Sequence, residues 1–151
     1  MNELSTENAG KMHFEPHGKI TISVLEDGIV LYRPEGPFNI ELVKAYAKVE
    51  APALAEFRTK YTKWCEVGVY EKSCLATDEA MEALKTYLVE SRKEGRVIAG
   101  SAHVFLEGVE GHLLMPPKYK KCVEAAGVKF KSFTNEADAI AWARKVYKES
   151  L

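Results

Sequence analysis

Cys74 and His103 are the pair in this chain best suited to covalent chemistry. A thiolate is stabilised at a helix N-terminus, and a nearby imidazole can take the proton. The plainer reading makes Cys74 a small buried apolar residue and His103 a hydrogen-bonded strand residue. Ser73 and Thr77 stand just before a helical pattern, where a phosphoryl group would meet the positive end of the helix dipole. As turn or cap residues they need no such role. His13-Phe14-Glu15-Pro16-His17 puts two imidazoles and a carboxylate within five positions. Pro16 denies them the helical i, i+4 geometry that would bring them onto one ion, so no metal is expected. Cys65, Cys74 and Cys122 are odd in number and widely spaced, which is neither a disulfide framework nor a CxxC motif. Reduced thiols in a cytoplasmic protein are the economical reading.

Lys118, Lys120, Lys121, Lys129 and Lys131 form the only basic concentration. Such a patch could meet an anionic lipid surface or a phosphate-bearing partner. Glu124 interrupts it, and only Tyr119 and Phe130 interleave, so stacking on nucleic-acid bases is unsupported. A charged edge that deters strand-to-strand aggregation explains the lysines more simply.

The frame for these residues is bounded by composition. The chain has 151 residues with formal net charge −1, is 46% hydrophobic and 28% charged, and so has the makeup of one soluble domain. Without a basic excess no nucleic-acid partner is expected, and no apolar run is long enough to span a bilayer. Residues 1–12 read as a flexible, solvated tail without a secretory h-region, leaving 13–151 as a single domain.

Ile20, Ile22 and Val24 alternate with polar residues as a half-buried strand does, and Asp27-Gly28 turns the chain into a second strand ending near Arg33. Asn39 can cap a helix that runs to about Lys60, bent or broken at Pro52. Trp64 to Tyr70 reads as a buried strand. Thr77 or Asp78 starts a helix with Met81, Leu84 and Leu88 on one face, closed by Gly95. Arg96 to Leu106 is a further buried strand. Glu110 to Ala126 is helical in character but divided by Pro116-Pro117. Val128 to Phe133 suits an edge strand, and Thr134 or Asn135 caps a last helix with Ala139, Ala143 and Val146 inward. The order ββαβαβαβα predicts a mostly parallel five-stranded α/β sheet with an N-terminal antiparallel hairpin and packed helices.

This layout resembles the small bacterial SpoIIAA-like proteins, relatives of the STAS domains. The residues that carry the resemblance are His17-Gly18-Lys19-Ile20 through Arg33, Gly36-Pro37-Phe38-Asn39, and the close from Phe133-Thr134-Asn135-Glu136 to Ala141-Trp142. The likeness covers roughly residues 13–149. It implies a non-enzymatic regulatory or protein-interaction domain without a cofactor, in a group where several members are switched by phosphorylation of a Ser. The regulatory sites of that group read Asp-Ser-Ser-Gly, whereas this chain has Glu71-Lys72-Ser73-Cys74-Leu75-Ala76-Thr77, leaving Ser73 and Thr77 as the phosphoacceptor candidates.

In open α/β sheets ligands meet the loops beyond the carboxyl ends of the strands. That rule gathers Arg33, Glu35, Ser73, Cys74, Thr77, His103 and Thr134 onto one rim as candidates for binding. The expected partner is a protein docked there or, alternatively, a small amphipathic, apolar or lipid-like ligand held between sheet and helices. The second reading calls for a cavity above roughly 300 Å³, with residues 111–117 as its flap. A thiol-dependent hydrolase using Cys74 and His103 is the third reading. A homodimer formed through the hairpin edge or the first helix is compatible with the pattern.

Overall fold

Alternating side chains make Lys19–Leu25 (β2) and Ile29–Glu35 (β3) an antiparallel pair, with Ile22 opposite Tyr32. Asn39 then starts α1 (Ile40–Lys60), its side-chain oxygen accepting from the N–H of Leu42 at 3.0 Å. Pro52 lies within this helix, which continues past it as one element. The chain goes on through β4 (Lys63–Val69), α2 (Asp78–Lys93), β5 (Val97–Val104), α3 (Pro116–Ala125), β6 (Lys129–Phe133) and α4 (Glu136–Glu149). Thr77 and Asn135 cap α2 and α4. The computed structural model describes residues 3–9, 15–25 and 27–151.

The sheet is α/β and mixed, and its strands lie side by side in chain order, with β3 through β6 parallel. Each crossover therefore steps the same way. Right-handed connections then send α1, α2 and α3 to one face, where α1 packs on α2 and α2 on α3. Helix α4 follows the last strand and folds back across the other face, against β4 and β5.

Two expectations need correction. The sheet has six strands, because Leu4–Ser5 (β1), inside the expected tail, pairs with Ile22 and Thr21 of β2. A 3-10 turn at Thr6–Ala9 follows, and buried Thr6 accepts from the N–H of Ile20 at 3.0 Å. The physical reason is the open border of β2, whose backbone donors need partners. Residues 1–2 and 10–12 of the expected tail, and His13 and Phe14 of the His-rich pattern, lie outside the described residues. The second correction is that the helix expected from Glu110 begins only at Pro116, with Glu110 itself in a β-bridge to Ser73 and turns over 111–115. Proline suits the first helical positions, where its missing N–H has no intrahelical partner to lose. Among the described residues no helix is long and apolar enough to cross a membrane.

Candidate functional site

Period-two alternation divides β4 and β5 between the two faces. Cys65, Val67, Val69, Ala102 and Val104 pack with Ala139, Ala143 and Val146 in an all-apolar core under α4. On the other face the same strands present Trp64, Glu66 and Gly68 beside Ser101 and His103, with Tyr70 and Phe105 immediately beyond their ends. Here the layers do not close. A cavity of about 100 Å³ lies between this face and helices α1 to α3, walled by apolar groups such as Leu42, Met81, Leu84 and Ile98. Gly68 opens its floor: a Cβ built there would have nothing within 4 Å. The position is buried in a strand and its backbone demands no glycine, since its φ is not positive. A strand-interior glycine of this kind costs stability and marks places where a ligand approaches the backbone.

Next to Gly68 in the sheet register is His103. Its Nδ1 lies 3.0 Å from the Tyr70 hydroxyl and its Nε2 lies 2.9 Å from the Ser101 hydroxyl. In either neutral tautomer one ring nitrogen donates and the other accepts, so both are satisfied. Burial pulls the imidazole down to about 3, which keeps it neutral at physiological pH. Tyr70 is fixed in turn by stacking on Phe105, with ring centroids 4.9 Å apart.

Glu66 belongs to a second polar cluster, which spans three layers. Glu50 of α1 accepts from the hydroxyls of Tyr32 at 2.6 Å, Tyr46, and Tyr87 at 2.6 Å, and from Arg96 at 3.0 Å. The Arg96 guanidinium also donates to the Tyr87 hydroxyl at 2.6 Å and lies over that ring. Among the described residues, Glu66 receives a hydrogen bond only from Tyr32, at 3.2 Å, in competition with the shorter bond to Glu50. The indole Nε1 of Trp64 is near enough to favour the anion but does not reach hydrogen-bond geometry. Burial, followed by the charge of Glu50, raises Glu66 to about 8, against opposing contributions from Tyr32, Trp64 and Arg96. Glu66 and His103 are deeply enclosed by protein, yet each keeps accessible surface, and both line the cavity.

The expected rim is distributed over separate environments. Arg33 faces α4, where its guanidinium meets Glu136 at 2.5 Å and Glu71 at 3.6 Å. Exposed Thr134 lies on the same approach, immediately before the α4 cap. Glu35 is paired with Lys72. Ser73 is only 4% exposed and donates to Glu110 at 2.9 Å, so a phosphoryl group there would meet a carboxylate. Thr77 is exposed but occupied as the α2 cap, accepting from Ala80 at 3.1 Å. Cys74 is fully buried, with its thiol on the Glu110 carbonyl at 3.3 Å and burial pushing it up to about 11. Both nitrogens of His103 are engaged elsewhere, so the Cys74–His103 pairing is not made. His103 alone of the expected residues reaches the cavity.

Backbone bonds explain why these loops form a seam. Gly36 donates to Ser73, Phe38 to Leu75, Thr77 to Phe38 and Cys74 to Glu110, extending the sheet beyond its strands. Residues 111–117 do not line the cavity. Met115 is buried in the core, while Leu113 and Leu114 point outward at 83% and 59% exposure. The five lysines of the basic concentration are exposed.

Sequence reasoning missed Glu50, Glu66, Gly68, Tyr87, Arg96 and Ser101 as parts of a site. The signal was present: even positions from 64 to 70 carry a glutamate and a glycine between aromatics, while odd positions are uniformly small and apolar. A wider depression of about 420 Å³ lies at the end of β2 and the last turn of α1, beside Val24, Leu25 and Phe57. Its charged groups, Glu56 and Lys60, are exposed to solvent. A scan of protein-family models, a search of curated proteins and a search of solved structures give no match to this chain.

Proposed function

We propose that the protein works by binding a small, largely apolar ligand between the sheet and helices α1 to α3. The observation that carries this reading is Gly68. A buried strand position gives up its side chain without any backbone need and leaves open space beside two polar groups that face it. At about 100 Å³ the cavity is close in scale to the roughly 150 Å³ apolar cavity known to hold benzene. It falls short of the roughly 300 Å³ that the amphipathic or lipid-like reading required, so that reading fails as framed and the ligand proposed is a smaller, ring-sized one. The satisfied, neutral His103 supports a binding role over catalysis, since a group held near 3 is a poor base at neutral pH.

Protein docking at the loop edge draws less support, because Ser73 is buried on Glu110 and Arg33 is held by Glu136. The test is an NMR titration with toluene and benzyl alcohol. Saturable shifts are expected at Leu42, Leu84 and Ile98, and they should vanish in Gly68→Val, where the new side chain fills the hollow. Absence of shifts in the wild type, or their persistence in a folded Gly68→Val, overturns the reading.

A further inference from the structure

The cavity wall has a charge asymmetry. Among the described residues that line it, Glu66 is the only carboxylate, and there is no lysine or arginine. The nearest guanidinium, Arg96, already serves Glu50 and Tyr87. The cluster thus holds two carboxyl groups and one cation, and the carboxyl without a direct ion pair is the one whose surface opens on the cavity. Tyr32 and Tyr46 flank it in the same wall and offer rings, which attract cations, as well as hydroxyls. An anionic ligand would meet no positive partner here.

We infer that the ligand is a small amphipathic amine, with its ammonium group on Glu66 beside Tyr32 and its apolar body over the Gly68 hollow against Met81 and Leu84. This rests on the cavity being the binding site. The proton balance follows from the surroundings of Glu66: Glu50 and Tyr46 from α1, Tyr32 from β3, Tyr87 from α2, Arg96 just before β5, and His103 within it. With Glu66 raised to about 8, the empty protein holds a proton there at pH 7. An ammonium ion replaces that proton, which leaves to solvent.

Benzylamine, benzyl alcohol and toluene, titrated calorimetrically into wild type and Glu66→Gln, test the inference. At pH 7 benzylamine should bind wild type about tenfold or more tightly than benzyl alcohol, a preference typical of one charge pair gained in a dry site. In Glu66→Gln, which is isosteric but cannot ionise to meet the ammonium, the preference should fall below about twofold. In wild type alone, titration in buffers of different ionisation enthalpy should show close to one proton released per amine. Amine affinity should rise about tenfold per pH unit between 6 and 7, as each unit increases the ionised fraction of Glu66 by that factor. Equal binding of amine and alcohol, no proton release, or a preference that survives in Glu66→Gln overturns the amine inference while leaving the cavity reading intact. If none of the three compounds binds, both fall.

Discussion

The two faces of one sheet are built from the same strands and reach opposite solutions. Under α4, Gly100 is a packing device: a Cβ there would lie 2.9 Å from Val146 Cγ1 and 3.2 Å from the Trp142 ring. Neighbouring side chains fill the space it leaves. On the opposite face Gly68, in the adjacent strand, leaves space that nothing fills. One glycine serves close approach and the other serves vacancy. The α4 face also carries no ionisable group in its core other than the Cys65 thiol, whereas the α1–α3 face buries Glu50, Arg96 and the enclosed Glu66.

Substitutions should break this comparison in a definite order. Arg96→Met is expected to be most severe, destabilising by about 3–5 kcal/mol in chemical denaturation, because it leaves Glu50 and Glu66 with no buried cation. A loss under about 1 kcal/mol would show that the cluster relaxes freely.

Glu66→Gln should act in the other direction. A carboxyl raised from 4.5 to about 8 binds its proton more tightly folded than unfolded, so folding stability falls as pH rises through that window. His103, lowered from 6.5 to about 3, has the opposite effect between those values, because acid protonates the unfolded chain first. The two slopes offset each other between 4.5 and 6.5. Between 6.5 and 8 only the Glu66 slope remains, so wild type should lose about 2 kcal/mol there while Glu66→Gln stays flat. Denaturation midpoints at pH 6.5 and 8 measure this directly, and parallel curves would contradict the assignment.

The glycine pair sharpens the contrast. Gly100→Val overpacks a filled site and should cost about 1–3 kcal/mol. Gly68→Ala, the smallest effect, should stabilise by about 0.5–1 kcal/mol, since it restores strand propensity in open space. If both variants lose stability equally, the faces are not distinct in the way described.

Much of the framework was legible in the residues. The inward triad Ala139, Ala143 and Val146, the caps at Asn39 and Thr77, and the parallel order all follow from local chemistry and periodicity. Strand β1 was not, because two residues are too few to show a period and its existence depends on the border of β2. The site was less legible for a different reason. Topology directs attention to loops beyond strand ends, and those loops are consumed by mutual backbone bonding. Glu50 sits within the inner stripe of α1, four residues after Tyr46, where a lone acid in an apolar face is informative only once Arg96, 46 positions later, is known to meet it.

Strand β1 has an outcome for how copies of this chain meet. With Leu4 and Ser5 paired to β2 and Thr6 holding Ile20, one margin of the sheet ends in a two-residue stub; at the opposite margin β6 displays Lys129 and Lys131. Among the described residues, neither margin offers a long uncharged ladder for a second copy to zip onto. Shortening the N-terminus past Thr6 would uncover one, and the chain would then be expected to self-associate by strand addition as its concentration rises.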